Sequence, residues 1–284
     1  MATEPIRPGR FFRVRLRFSR GVITIAIIVV VLAVGVSVVL VNLLKRAKPL
    51  AVPEAHCTVR TPEGTRGLDP EQAQVSATIA AVAARRKLPE RAVVIAYATG
   101  IQESKLYNLE GGDRDSLGVF QQRPSQGWGT KKQIMDPVYA TNKFFAALVK
   151  VKNYQKIPLA EAAQAVQRSA GGYAYAPHEE EAKILAAAFT GRVPQAVHCW
   201  YPPGATPAPQ PQASEARKQL ARALGSTAIT TKKRGWLVAA WSVAYAQKYS
   251  LRQVGYAGAT WSNDIELEGW QAGGKAGTSK VELS

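Results

Sequence analysis

Gly100-Ile101-Gln102-Glu103-Ser104 sets a carboxylic acid at the end of an apolar run. Gly112-Asp113-Arg114 follows, then Leu117-Gly118-Val119-Phe120-Gln121-Gln122, all within nineteen residues of the acid. This pattern suits general-acid chemistry. A helix C-terminus carries partial negative charge, which disfavours a carboxylate there. An apolar segment such as 117–120 disfavours the anion as well. Both effects favour the protonated form of Glu103, ready to donate to a leaving oxygen. A lone Glu ending a helix is ordinarily just solvated; the neighbouring motif is what lifts this one above that reading. Other chemistries fit less well. Two cysteines and three histidines (His56, His178, His198) have no metal-ligand spacing. No serine lies in a G-x-S-x-G elbow and no phosphate-cradling loop is present. No metal and no cofactor are expected.

The elements around this constellation read as short helices. Asp69-Pro70-Glu71 is an N-cap, an N1 proline and a first-turn acid, with Val75, Ile79 and Val82 following at helical spacing. Pro89 opens a second helix that runs toward Glu103. Residues 105–130 break helical logic through Gly111, Gly112, Gly118, Pro124, Gly127 and Gly129. Thr130 with Gln133 forms a capping box. Asp136-Pro137 and Pro158 each start a further helix, and 179–190 is a last one, which Gly191 ends.

The segment resembles the active-site core of the goose-type lysozyme and lytic transglycosylase superfamily. Those enzymes show an E-S pair ending a helix, matched by Glu103-Ser104, and a G-L-M-Q-like motif, matched by Gly118-Val119-Phe120-Gln121. Goose-type members carry G-D-R before it, as at Gly112-Asp113-Arg114. Ala163-Gln164-Ala165-Val166-Gln167-Arg168-Ser169-Ala170, with Tyr175 beyond, resembles a third motif at a substrate-facing helix end. The resemblance covers residues 68–199. It implies a lysozyme-like helical fold and cleavage of the β-1,4 bond between N-acetylmuramic acid and N-acetylglucosamine in peptidoglycan glycan strands. Glu103 then protonates the leaving oxygen. If Asp113 positions a water, the enzyme hydrolyses in the inverting manner; this is the outcome toward which the matching G-D-R leans. Otherwise Glu103 acts again as base and the sugar's 6-hydroxyl gives an anhydro product. The chain departs from the goose-type pattern at Arg123, where those enzymes have another Asp. Asp115 serves as a bystander that caps a turn. Gln121 orients the sugar or is a buried amide bonded to main chain. Trp128 stacks on a sugar ring or packs in the core. Gln167 and Tyr175 are substrate-facing candidates, and Ser104 is structural.

The rest of the chain places this domain. From Gly21 to Leu44 no residue is charged. A helix of that length reaches about 36 Å, beyond the ~30 Å hydrocarbon core. Arg7, Arg10, Arg13, Arg15, Arg17 and Arg20 precede it, and only Lys45, Arg46 and Lys48 follow closely. The positive-inside rule puts 1–20 in the cytoplasm as a basic tail and the bulk outside a cell membrane. The span exceeds a signal-peptide core, so an uncleaved single-pass anchor at 21–44 is expected. One span argues against a transporter. In an oxidising exterior Cys57 and Cys199 can pair, bracketing the catalytic region; two free buried thiols are the alternative.

Net charge is +17, of which residues 1–48 contribute nine bases and one acid. The basic remainder suits an acidic wall or lipid surface. No nucleic-acid motif accompanies it. The map is thus a linker at 45–67, a lysozyme-like domain at 68–199, a Pro-rich linker at 200–212 and a small α/β module at 213–284. Trp236 and Trp241 are read as core, and the module as a non-catalytic attachment element. The fold class is mainly α. The functional rival to a glycosidase is a non-catalytic envelope scaffold that keeps the lysozyme fold to bind glycan or a protein partner that the sequence leaves unidentified.

Overall fold

The computed structural model describes residues 19–46, 54–168, 172–202, 209–264 and 269–284. Arg7, Arg10, Arg13, Arg15, Arg17, Lys48, Ser169, Ala170 and part of the Pro-rich linker at 200–212, which entered the reading above, lie outside the described residues. The contacts divide the chain into two compact units, Met1–Val52 and Pro53–Ser284.

Among its described residues, the first unit holds one helix, α1 (Arg20–Arg46). Its stretch Thr24–Asn42 is long and apolar enough to cross a membrane. At 1.5 Å per residue its 27 residues extend about 40 Å. Ile25, Val30 and Val36 expose more than half of their surface, an apolar face that water does not stabilise.

The second unit is mainly α, with two small antiparallel sheets. Strands β1 (His56–Thr61) and β2 (Gly64–Leu68) form a hairpin, and β3 (Val197–Trp200) pairs with the other side of β1. Within the expected linker at 45–67, residues 56–67 thus belong to a sheet, and 47–53 lie outside the described residues. Pro62 lies in the tight turn that brings Thr61 opposite Gly64, so these breakers mark a hairpin rather than a tether. Cys57 stands directly opposite Cys199 across β1 and β3, and the two form a disulfide. Both are buried.

Helix α2 (Pro70–Arg85) starts where Asp69-Pro70 predicts, and the structure adds a capping partner, the Asp69 amide donating to Gln72 Oε1 at 2.8 Å. Its face at Val75, Ile79 and Val82 is buried. Helix α3 (Glu90–Ser104) is buried continuously from Ala92 to Gly100, so it runs through the core and delivers Glu103 at its end. The short α4 (Lys131–Ile134) keeps both halves of the Thr130/Gln133 capping box. Asp136 caps α5 (Pro137–Leu148) by accepting from the Val138 amide. Then come α6 (Leu159–Gln167), a 3-10 segment at Gly172–His178, and α7 (Glu179–Phe189). Phe144 of α5 stacks on Phe120, ring centroids 4.4 Å apart. This contact seats the glycine-rich segment on the helical core.

The C-terminal part consists of α8 (Ala213–Leu224), α9 (Lys232–Ala244) and the strands β4 (Gln253–Tyr256), β5 (Ala259–Ser262), β6 (Trp270–Ala272) and β7 (Glu282–Leu283), in sheet order β6-β5-β4-β7. It does not form a unit separate from 68–199. Tyr245 and Thr78 of α2 share a hydroxyl–hydroxyl bond of 2.8 Å. Trp261 Nε1 donates to the Cys199 carbonyl and Trp270 Nε1 to that of Val197. Gly191, at φ 72°, lies so close to α9 that a Cβ there would sit 2.1 Å from the Lys233 carbonyl. Glycine is thus needed twice, for the left-handed turn that ends α7 and for the close approach. Trp236 and Trp241 are buried, as their spacing suggested. Prolines near 200–212 signal local stiffness; only the long-range anchoring by tryptophans shows that both sides of them share one core.

Candidate active site

Glu103 is half-buried in the last turn of α3. The helix closes at Lys105, in the left-handed region at φ 54°, with the Leu106 amide donating back to the Gly100 carbonyl at 3.0 Å. Gly100 has no room for a side chain. A Cβ there would meet Leu106 at 2.8 Å and Val119 at 3.4 Å. The bare backbone lets the apolar 117–120 segment lie against α3 one turn before the acid.

That segment is a miniature hairpin. The Leu117 and Gln122 amides exchange hydrogen bonds with each other's carbonyls at 3.0 and 2.9 Å. Gly118 at φ 72° and Gln121 at φ 45° make the turn between them. Ser104 Oγ donates to the Val119 carbonyl at 2.8 Å. The E-S pair therefore has a division of labour in geometry: Ser104 fastens the hairpin to the helix end, and Glu103 faces the other way, toward Tyr175.

Tyr175 Oη donates to Glu103 Oε1 at 2.7 Å. Its ring is 2% exposed, so the hydroxyl is presented by a fixed, packed side chain. His178 Nε2 and Gln102 Oε1 lie 2.9 Å apart, a second tie between the 172–178 segment and the end of α3. Sequence reading passed over this pair, because the only signal was a histidine three residues after the tyrosine. Gln167, last residue of α6, donates to the Phe120 carbonyl at 2.8 Å. Gln121 bonds back to the Gly118 carbonyl through Nε2 at 3.2 Å. Its amide also lies against Gly112, where a Cβ would be 1.6 Å from Oε1. Gly112 of the G-D-R stretch is thus the wall on which Gln121 rests.

The structure brings together Glu103, Tyr175, Gln167 and the Gly112/Gln121 contact through the hairpin. Two other candidates sit differently. Asp113 is 91% exposed, and the nearest cation is its neighbour Arg114 at 3.9 Å. Trp128 is half-buried on the far side of the 123–128 turn, its carbonyl accepting from the Tyr139 hydroxyl, and it lines a groove of about 430 Å³ with α5 and α6. The disulfide lies in the β1/β3 sheet and supports the frame.

Asp115, the expected bystander, has a definite structural role. Arg123 Nε donates to Oδ1 at 2.6 Å, the Ser125 amide to Oδ2 at 2.8 Å, and Ser125 Oγ to Oδ1 at 3.0 Å. The Arg123 guanidinium first, then the Ser125 donors, hold its carboxyl well below the usual carboxylate range. Arg123, which departs from the goose-type pattern, is therefore the partner that fixes this loop. No sequence signal pairs residues eight apart in a glycine-rich turn. A larger cavity of about 540 Å³ lies elsewhere, where α2, α5, α8 and α9 meet, with Trp241, Tyr245 and Tyr249 among its walls.

Chemically, the arrangement offers one acid whose Oε1 is oriented by a phenol, at a helix end to which the buried 117–122 hairpin is fastened. It holds no second fixed carboxylate at the Asp113 or Arg123 positions. No family model matches the chain, and no curated protein matches it either.

Proposed function

We propose that this chain is a membrane-tethered peptidoglycan glycosidase that cleaves the β-1,4 bond between N-acetylmuramic acid and N-acetylglucosamine, with Glu103 as general acid. The observation that carries the reading is convergence. Tyr175 bonds to the Glu103 carboxyl group itself, while Ser104 and Gln167 bond to the Val119 and Phe120 carbonyls of the adjoining hairpin, so residues from separate segments are tied together near that group. In the proposed reaction Glu103 gives its proton to the glycosidic oxygen as the bond to the muramic C1 breaks. The exposure of Asp113 and the engagement of Asp115 by Arg123 favour a second use of Glu103 as base. It then takes the proton of the sugar's own 6-hydroxyl, whose oxygen closes on C1 to give the anhydro product. The helix at Arg20–Arg46 is the anchor, and the arginine-rich side before it faces the cytoplasm.

Glu103→Gln tests the assignment. The amide is nearly isosteric, so the fold stays while the acidic proton is lost. Lysis of purified sacculi falls at least ~100-fold, the lower end of general-acid contributions. Unchanged lysis removes Glu103 from the chemistry, and glycan binding without lysis in the unmutated chain turns the reading toward a scaffold. Mass spectrometry of the products separates the two outcomes of cleavage. Anhydromuramic ends are expected; reducing ends that Asp113→Asn suppresses assign a hydrolase instead.

A further inference from the structure

The groove beside Trp128 has a chemistry that the acid site does not use. Its walls include Trp128, Lys143, Lys150, Val151, Val166 and Arg168, and among the described residues no Asp or Glu lines it. The three cations are exposed. Among the described residues none of them pairs with an acid; Lys143 Nζ instead sits 5.5 Å from the Tyr139 ring centroid. Unneutralised charges around one concave surface focus a positive potential into it. The half-buried indole adds a flat apolar face of the kind on which a sugar ring's C–H face can lie.

The groove is linked to the acid site through neighbouring residues of the chain. Gln167 reaches the Phe120 carbonyl, and Arg168, the next residue, already lines the groove. On the other side the Trp128 amide bonds to the Arg123 carbonyl, directly after the 117–122 hairpin. Two groove residues, Arg168 and Trp128, thus belong to segments that join those framing Glu103.

We infer that this groove is an accessory subsite for the carboxylates carried on the substrate's own glycan strand, a role that rests on the function proposed above. Trp128 supports a sugar ring, and Lys143, Lys150 and Arg168 hold the anionic groups attached to the strand. The subsite sets affinity and register, and Glu103 sets the rate.

The test uses the detergent-solubilised full chain carrying Glu103→Gln, co-sedimented at equilibrium with sacculi freed of phosphodiester polymers. Adding Lys143→Ala, Lys150→Ala and Arg168→Ala weakens binding about tenfold at low salt, the combined effect of three solvent-screened pairs. Sacculi whose carboxylates have been coupled to glycinamide bind both proteins equally weakly. The single exposed change Lys143→Gln gives a smaller loss of the same kind and guards against misfolding of the triple variant. Unchanged binding by the triple variant overturns the subsite. So does undiminished binding of amidated sacculi, or charge-dependent binding seen only while phosphodiester polymers remain. The two readings fail separately: lysis that survives Glu103→Gln removes the catalytic assignment, while the charge-dependent binding stands or falls on the lysine and arginine variants.

Discussion

Removing one oxygen from Tyr175 is the sharpest probe of the proposed site. Tyr175→Phe keeps a ring that is 2% exposed and deletes only the hydroxyl that donates to Glu103 Oε1 at 2.7 Å. A hydrogen bond to an ionisable partner contributes roughly 1.5–3 kcal/mol. Glu103 is half-buried, so water replaces part of the lost bond and the low end applies. About 1.4 kcal/mol corresponds to a tenfold change in rate. Turnover therefore falls about tenfold. KM for glycan stays near its original value, because the lost contact orients the acid rather than holding sugar. The assay is initial-rate release of soluble fragments from sacculi over a range of concentrations, with melting temperature as the folding control. Tyr173→Phe is the matched comparison: that ring is 93% exposed and two residues away. It should leave turnover unchanged. Full activity in Tyr175→Phe, or an equal fall in Tyr173→Phe, would refute the idea that the phenol positions Glu103.

Three further outcomes follow from the same geometry. Replacing both Cys57 and Cys199 by Ala removes a cross-link spanning 142 residues, for which the chain-entropy model gives at most about 5 kcal/mol. Calorimetry should show a melting temperature lower by about 10 °C at most, with activity at low temperature retained; alanine is chosen because both positions are buried. Gly112→Ala drives a Cβ into the Gln121 amide, the mobile end of a side chain, so the protein should melt normally while kcat/KM falls about tenfold as Gln121 is displaced. Asp115→Asn addresses pH. The folded carboxyl lies below its unfolded value of about 4, so its stabilisation is complete above that value and is lost as pH falls further below it. The melting-temperature gap between the native chain and Asp115→Asn should thus be widest near neutrality and shrink below about pH 4; a gap independent of pH means that the Arg123 and Ser125 contacts do not stabilise the loop.

Much of the scaffold was legible from residues a few positions apart. Asp69 before Pro70, Thr130 with Gln133 and Asp136 before Pro137 start helices where expected, because a cap is satisfied by groups within the next turn. The apolar run at α1 needs no partner to be recognised, since length and absence of charge define it. The pairing of Cys57 with Cys199 was open to reasoning about compartment. The three-stranded sheet was not. Thr58 and Val59 meet His198 and Val197, well over a hundred residues away, and nothing local distinguishes a hairpin with Pro62 in its turn from a tether. Nor was the union of 213–284 with the helical body, which depends on where Trp261 and Trp270 find carbonyls. In the site, types and spacing singled out Glu103. That Tyr175 reaches it, that Asp113 points into solvent and that Arg123 takes Asp115 were decided by how the 105–130 turn packs on α3 and α6. Helix ends are set by hydrogen bonds between near neighbours, whereas the surroundings of a carboxylate are set by segments that only the closed core brings together.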